Sequence, residues 1–183
     1  MNPVLTDFLA SRTPLIEGSA SWGDLLPLHI TFYLSSEQPP LQFVTSVRSV
    51  VFQADSVLVV RDAENHFHIT PGGRREQNET IEETLRREVL EETGWTLSEI
   101  SLLGFTHFHH LAPRPSNYTY PHPDFLQIIY VAQADKYIPE AQVPGEYELE
   151  TDFRPIGEVR RLLLEPGQLM LLNAAIEFRQ SLE

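Results

Sequence analysis

The sequence predicts an α/β fold, of the α+β kind, in which helices cover both faces of a mixed β-sheet. Three observations predict this class: strand-like apolar runs precede one central amphipathic helix, similar runs follow it, and the chain ends in a further helix. The chain has 183 residues, of which 42% are hydrophobic, so it can bury one substantial core.

Residues 1–43 are predicted to form an extension that packs on the core or on a second subunit. They begin with a short helix-like segment, and after a polar stretch residues 26–34 predict a strand. The extension has more large apolar residues than a compact core requires: Leu25, Leu26, Leu28 and Phe32. It therefore predicts either a homodimer or, within a monomer, a cover for one sheet edge.

Residues 44–183 are predicted to form the main domain. Its strands cover residues 46–52, 56–60, 66–70, 100–108 and 125–134. Between the last two strands, the loop at 112–123 contains four prolines, which make it stiff. Two helices, at 156–164 and 168–179, follow the last strand.

The composition limits the partners that the chain can have. A formal charge of −13 disfavours broad contact with nucleic acid or with an anionic membrane, because both require a positive field. No apolar run is long enough to predict a membrane span, and the amino terminus does not resemble a secretory signal. We therefore expect a cytoplasmic protein. Since the chain has no cysteine, disulfides and thiol chemistry are excluded.

Both ends of the central helix are marked in the sequence. Thr80 followed by Glu83 has the form of a capping box, and Gly94 is placed to end the helix. Three apolar residues spaced four apart predict its buried face: Ile81, Leu85 and Val89.

Three carboxylates share one face of the last turns of this helix: Glu88, Glu91 and Glu92. Like charges at this spacing cost about 0.2–0.5 kcal/mol per pair, and the carboxyl end of a helix is already negative. A bound divalent cation would reverse both penalties. Carboxylate oxygens favour a hard ion, Mg²⁺ or Mn²⁺, over zinc.

The segment resembles the Nudix box of Nudix hydrolases. The residues that fill the fixed places of the box are Gly73, Glu79, Arg87, Glu88, Val89, Glu91, Glu92, Gly94 and Trp95. The resemblance covers roughly residues 44–180. It implies a Nudix-type α/β/α sandwich and Mg²⁺-dependent hydrolysis of a diphosphate linkage, in a nucleoside diphosphate that is joined to another group.

The resemblance also assigns roles within the box. Glu88, Glu91 and Glu92 are expected to bind the metal, and the Gly73 carbonyl to add a ligand. Arg87 is expected to orient these carboxylates, and Glu79 to support the preceding loop. Water would attack phosphorus without a covalent intermediate.

The general base and the substrate contacts are less closely specified. In many family members the base is a glutamate on a later loop, for which Glu148 and Glu150 are candidates; in others a glutamate of the box does this work. The candidate substrate contacts are Arg48, Arg61, Arg74, His109, Tyr118 and Tyr120. For each of these residues, solvated charge or ordinary packing is the alternative.

A pair of histidines, His107 and His109, falls on one face of a predicted strand. The pair suggests a transition-metal site, but zinc sites normally have three or four protein ligands and no third ligand has a supporting spacing. Packing, or a position in the substrate cleft, is therefore the favoured interpretation.

Two other functional classes share this fold. A non-catalytic nucleotide-binding or regulatory domain usually loses carboxylates of the box, whereas this chain keeps every one. Isopentenyl diphosphate isomerase uses a cysteine that this chain does not have. The sequence therefore favours the hydrolase.

Overall fold

The computed structural model describes residues 2–22, 26–62, 64–118, 120–143, 148–162 and 164–182. The chain forms two compact units. Unit 1 comprises Met1–Ser46 and Leu102–Ile129, and unit 2 comprises Val47–Ser101 and Tyr130–Glu183. Three long strands contribute residues to both units, and the predicted boundary at residue 43 stays a prediction.

The helices are α1 (Pro3–Ala10), α2 (Ile81–Thr93), α3 (Ile156–Val159) and α4 (Pro166–Gln180). The strands are β1 (Ile16–Trp22), β2 (Leu26–Leu34), β3 (Val44–Gln53), β4 (Ser56–Asp62), β5 (Phe67–His68), β6 (Gly72–Arg74), β7 (Trp95–His110), β8 (Asp124–Tyr137) and β9 (Glu148–Pro155). The strands belong to one mixed sheet, which confirms the predicted α+β fold class. Within the described ranges, no helix is long and apolar enough to cross a membrane.

Unit 1 contains β1 and β2 and parts of β7, β8 and β3, and these strands follow one another in the order β1-β2-β7-β8-β3. Strand β2 runs antiparallel to β1 and to β7, with Leu28 opposite His110 and Leu34 opposite Gly104. Leu28 and Phe32 are each 4% exposed, so both are already buried in the monomer. Leu25 lies outside the described residues, as does the side chain of Leu26. The homodimer stays a prediction.

Strand β1 is the element of unit 1 that the sequence did not predict. Its residues from Glu17 to Ser21 are all exposed, since β1 pairs with β2 alone at the edge of the sheet. An exposed edge strand has no buried face, so its sequence lacks the apolar alternation that predicts a strand.

Unit 2 has its core along β4, where residues 57–60 are almost completely buried. Strand β4 pairs antiparallel with β5 and with β9, and β6 pairs with β3. Helix α2 buries its predicted face, Ile81, Leu85 and Val89, and α4 buries Leu172 and Ala175.

The acidic segment near residue 150 was expected to be a loop, and this prediction was wrong. Residues 148–155 form β9, which pairs with β4 from Ser56 opposite Pro155 to Asp62 opposite Glu148. Thr151 and Phe153 alternate with charged residues, which is the period of a strand with one covered face. The high charge of the segment hid this alternation.

Candidate active site

Helix α2 presents the carboxylates, and both predicted ends are present. Glu83 N donates to Thr80 Oγ1 at 3.2 Å, and Thr80 N donates to Glu83 Oε2 at 2.8 Å, which completes the capping box. Gly94 ends the helix with a φ of 74°, a left-handed conformation that glycine adopts without steric cost.

Arg87 connects three of the box carboxylates. Its Nε and Nη2 atoms donate to the two oxygens of Glu79 at 2.6 and 3.0 Å. Its Nη1 atom donates to Glu88 Oε1 at 2.9 Å and to Glu91 Oε2 at 3.1 Å. The Arg87 hydrogen bond lowers the pKa of Glu79 to about 2, and the same contact raises the pKa of Arg87. Because Glu79 holds the guanidinium from one side, Arg87 can orient two carboxylates with the other.

The Glu88 carboxylate lies against the backbone of Gly73. A Cβ atom at Gly73 would overlap this carboxylate, so glycine allows the close approach. Burial raises the pKa of Glu88, and the hydrogen bond from Arg87 opposes that rise. For the Glu88 carboxylate, the effect of burial on the pKa therefore exceeds the effect of its arginine partner.

The third carboxylate, Glu92, is held by backbone that precedes the box. Gly72 N donates to Glu92 Oε2 at 2.8 Å. Gly72 has a φ of 133°, and a Cβ atom there would overlap the Val47 carbonyl oxygen. From the other side, Gln142 Nε2 donates to the Glu92 carbonyl oxygen at 2.9 Å. Gly72 thus positions the candidate ligand Glu92, and the sequence pattern did not indicate this role of Gly72.

Two of the predicted substrate arginines lie close to these groups within unit 2. Arg48 Nη1 donates to the Thr70 carbonyl oxygen at 2.8 Å, and its charge is close enough to lower the pKa of Glu88. Arg74 is exposed, and its carbonyl oxygen accepts a bond from Arg87 Nη2 at 3.2 Å. Arg48 is therefore close to the carboxylates through its side chain, and Arg74 through its backbone.

The third arginine binds a carboxylate that was predicted as general base. Arg61 Nη2 lies 2.7 Å from Glu150 Oε2, and the two residues are opposite each other on β4 and β9. Arg61 Nε also donates to Oε2 at 2.9 Å, so Arg61 and Glu150 are ion-pair partners in this structure. The side chain of the other candidate base, Glu148, lies outside the described residues.

The remaining predicted substrate residues, His109, Tyr118 and Tyr120, lie in unit 1. Tyr118 Oη is 2.9 Å from His110 Nε2, and its ring lies at the edge of the Tyr120 ring with a centroid distance of 5.5 Å. The Tyr120 side chain is the more exposed of the two, at 38% for the residue. The loop therefore holds Tyr118 internally and presents Tyr120 to solvent.

Sequence reasoning missed Asp124 altogether. Asp124 begins β8, and its Oδ1 atom lies 2.8 Å from His107 Nε2 and 2.8 Å from His109 Nδ1. The separations along the chain, 17 and 15 residues, match no metal motif. The sequence indicated only that a strand begins near residue 125, after the strand that carries the histidines. It did not indicate which residues of the two strands lie opposite each other.

The protein is thus of the α+β class, and its candidate active site is a group of carboxylates on helix α2. The family model of the NUDIX domain matches residues 42–176. The chain therefore belongs to the NUDIX family, and the prediction that it is a Nudix hydrolase is confirmed. No curated protein matches it.

Solved structures with the same fold include three informative neighbours. A NUDIX hydrolase from Nitrosomonas europaea is 23% identical with a TM-score of 0.54, over 75% of this chain and 89% of that chain. A pyrophosphohydrolase from Bacillus subtilis is 18% identical with a TM-score of 0.59, over 90% and 97%. The NUDIX domain of Shewanella oneidensis NrtR, complexed with ADP ribose, is 18% identical with a TM-score of 0.53, over 77% and 93%. At these identities the likeness shows the fold.

Proposed function

We propose that the protein is a Mg²⁺-dependent pyrophosphohydrolase that cleaves a diphosphate linkage in a nucleoside diphosphate joined to another group. The observation that carries this proposal is the arrangement of Glu88, Glu91 and Glu92 around Arg87 and the Gly72-Gly73 backbone. The products would be a nucleoside monophosphate and a phosphorylated fragment.

The residues present fit a hard divalent cation. The donors are oxygens, from three carboxylates of α2 and from the carbonyl of Gly73, and such a set suits Mg²⁺, with Mn²⁺ as a substitute. The raised pKa of Glu88 supports the fit, because burial leaves this carboxylate in need of positive charge. When bound, such an ion lowers the pKa of water and neutralises charge on phosphate oxygens.

The other residues of the box act by holding the donors in place. Arg87 is a positioning residue, because Glu79 fixes one side of its guanidinium while Nη1 bridges Glu88 and Glu91. Gly72 positions Glu92 through its backbone N–H. These contacts restrict the side-chain positions of the three carboxylates before a metal ion binds.

Substrate phosphates would meet the positive charge of Arg48 and Arg74, which counteracts the overall charge of −13 near the site. The ligand of the NrtR NUDIX domain, ADP ribose, belongs to the proposed class of substrate.

A second candidate is a domain that binds a nucleotide without turnover. The ion pair between Arg61 and Glu150 favours it, because this contact occupies a candidate general base. The intact carboxylate set favours the hydrolase. The two candidates differ in whether a bound nucleotide is converted to product.

The test is a panel of nucleotide-linked diphosphates, dinucleoside polyphosphates and nucleoside triphosphates, incubated with Mg²⁺ and analysed by product chromatography. We expect a nucleoside monophosphate from at least one linked diphosphate, and no product in the presence of chelator. Calorimetry with each compound completes the test. If compounds of the panel bind but none is hydrolysed, with either Mg²⁺ or Mn²⁺, the second candidate is supported and the first is rejected.

A further inference from the structure

A second group of metal-ligating side chains lies in unit 1, on the strands β7 and β8. His107 Nε2 and His109 Nδ1 each lie 2.8 Å from the same oxygen, Asp124 Oδ1. The three ligand atoms are all within 4.8 Å of one another. His107 and Asp124 have side-chain exposures of 6% and 3%, and His109 reaches the edge of the cluster at 32%.

The strands themselves bring the two imidazoles together. His107 and His109 are two residues apart on β7, so their side chains project from the same face of the sheet. On the neighbouring strand, His29 lies directly opposite His109 and adds a third imidazole on that face. Since these positions are fixed by the β2–β7 register, the nitrogen donors are ordered by the sheet rather than by a loop.

The carboxylate of Asp124 is not satisfied by its two imidazole partners. Both hydrogen bonds end on Oδ1, while Oδ2 is buried and has no hydrogen-bond partner among the residues that the structure describes. A buried carboxylate oxygen without a partner is costly, whereas a metal ion bound by both oxygens of the carboxylate gives Oδ2 a bond and a neighbouring positive charge. The orphan oxygen is thus an independent indication that a ligand belongs here.

We propose that His107, His109 and Asp124 form a second metal site, which binds a divalent transition-metal ion of the zinc class. The chemistry of the donor set differs from that of α2: two imidazole nitrogens and one carboxylate suit Zn²⁺ and its neighbours, whereas oxygen donors alone suit Mg²⁺. Three protein ligands leave a fourth position open, which water can fill.

The observed spacing is close to that of an occupied site. With metal–ligand bonds of about 2.0–2.1 Å in tetrahedral geometry, the ligand atoms would be separated by about 3.3 Å. The nitrogen-to-oxygen distances are 2.8 Å, so each imidazole has to move outward by roughly half an ångström to admit an ion. His109 has solvent on one side and can make this movement without displacing the core.

The test is calorimetric titration of Zn²⁺ into protein without a polyhistidine tag, after chelator treatment and in excess Mg²⁺, which occupies oxygen sites. We expect one Zn²⁺ per chain and a rise in the melting temperature on binding. The variant His109→Gln should lose both, because it removes the most accessible ligand. The matched control is His66→Gln, since the His66 side chain is 71% exposed and lies in unit 2; it should bind as wild type.

A variant of the acidic helix, Glu91→Gln combined with Glu92→Gln, separates this site from the proposed catalytic one. Zinc binding that is kept in this variant and lost in His109→Gln supports the proposal. Binding that is lost in the helix variant and kept in His109→Gln overturns it. Absence of Zn²⁺ binding in wild type also overturns it, and neither result bears on whether the protein hydrolyses nucleotides.

A measurement on the wild-type protein does not depend on how the variants fold. Nitrogen NMR of labelled histidine should show Zn²⁺-induced shifts at His107 Nε2 and His109 Nδ1, the atoms that face Asp124. If Zn²⁺ leaves these two nitrogens unchanged, the cluster is a hydrogen-bonded network and the proposal is wrong.

Discussion

The carboxylates of α2 and the cluster around Asp124 are two different solutions to placing charge in a protein. On α2, Glu88 and Glu91 crowd negative charge on a partly exposed helix end, with side-chain exposures of 17% and 42%. Around Asp124, a buried carboxylate meets two imidazoles that can donate to it. The first arrangement is unfavourable without a ligand, whereas the second contributes to the fold even when it is metal-free.

The largest expected effect concerns function on the acidic helix. Glu91→Gln should lower hydrolysis about a thousandfold, because losing one metal ligand removes several kcal/mol of transition-state stabilisation at 1.36 kcal/mol per tenfold. In chelator its free energy of unfolding should stay equal or rise by up to about 0.5 kcal/mol, since a like charge leaves the carboxyl end. Turnover assays and denaturant titrations measure both quantities.

Glu82→Gln is the matched control for this variant. Glu82 lies on the same helix, is exposed and pairs with Arg86, away from the cluster. It should retain activity. If Glu91→Gln kept its activity but unfolded much more easily, the Glu91 carboxylate would stabilise the fold and would not serve as a metal ligand.

The difference between the two regions also explains what the sequence could predict. Glu88, Glu91 and Glu92 lie within one and a half turns, so helix geometry alone places them together. The capping box and the glycine stop are equally local, and both were confirmed. The family resemblance implied that Arg87 orients carboxylates, but its bidentate contact with Glu79 came from the structure.

Asp124 could not be predicted because its contacts depend on strand register. A shift of β8 by one residue would move its side chain to the other face of the sheet and away from His107. That register is set in part by the hydrogen bond from His110 N to the Pro123 carbonyl oxygen at 2.8 Å, at the end of a long loop. Loop length and composition do not specify such a contact.

The next largest effect should appear in the stability of the metal-free protein. Asp124→Ala leaves two imidazole N–H groups without an acceptor, one of them buried, and should lower the free energy of unfolding by about 3 kcal/mol in chelator. Asp135→Ala is the control, because this aspartate is exposed and accepts a hydrogen bond from Thr96 Oγ1 at 3.3 Å. Its cost should stay within about 0.5 kcal/mol. If Asp124→Ala and Asp135→Ala lowered the free energy of unfolding equally, the contacts of Asp124 with the histidines would not stabilise the metal-free fold.

The pH dependence of stability distinguishes His68, whose pKa is lowered mainly by burial, from the imidazoles beside Asp124. Burial, and then the charge of Arg48, lower the pKa of His68 to about 4 from 6.5. The folded state therefore favours neutral His68, so this contribution is complete above pH 6.5 and is lost as the pH falls towards about 4. We expect His68→Gln to reduce the acid loss of stability by about 2 kcal/mol.

Unfolding titrations between neutral pH and pH 4 measure this difference, with the exposed His66→Gln as control. His68→Gln should still lose some stability as the pH falls, because burial also lowers the pKa of His107 and His110. Identical pH profiles for wild type and His68→Gln would show that His68 is accessible to protons in the folded state.

The smallest effect compares the two ends of α2. Thr80→Ala removes the side-chain acceptor for Glu83 N and should lower the free energy of unfolding by about 1 kcal/mol, with or without metal. Thr80→Ser keeps an oxygen at the cap and should restore most of that stability. The amino end of the helix then stabilises the fold, while Glu91 at the other end serves the ligand. If both Thr80 variants matched wild type in denaturant titrations, the buried face of Ile81, Leu85 and Val89 alone would hold the helix, and the carboxylates would need no cap to be presented.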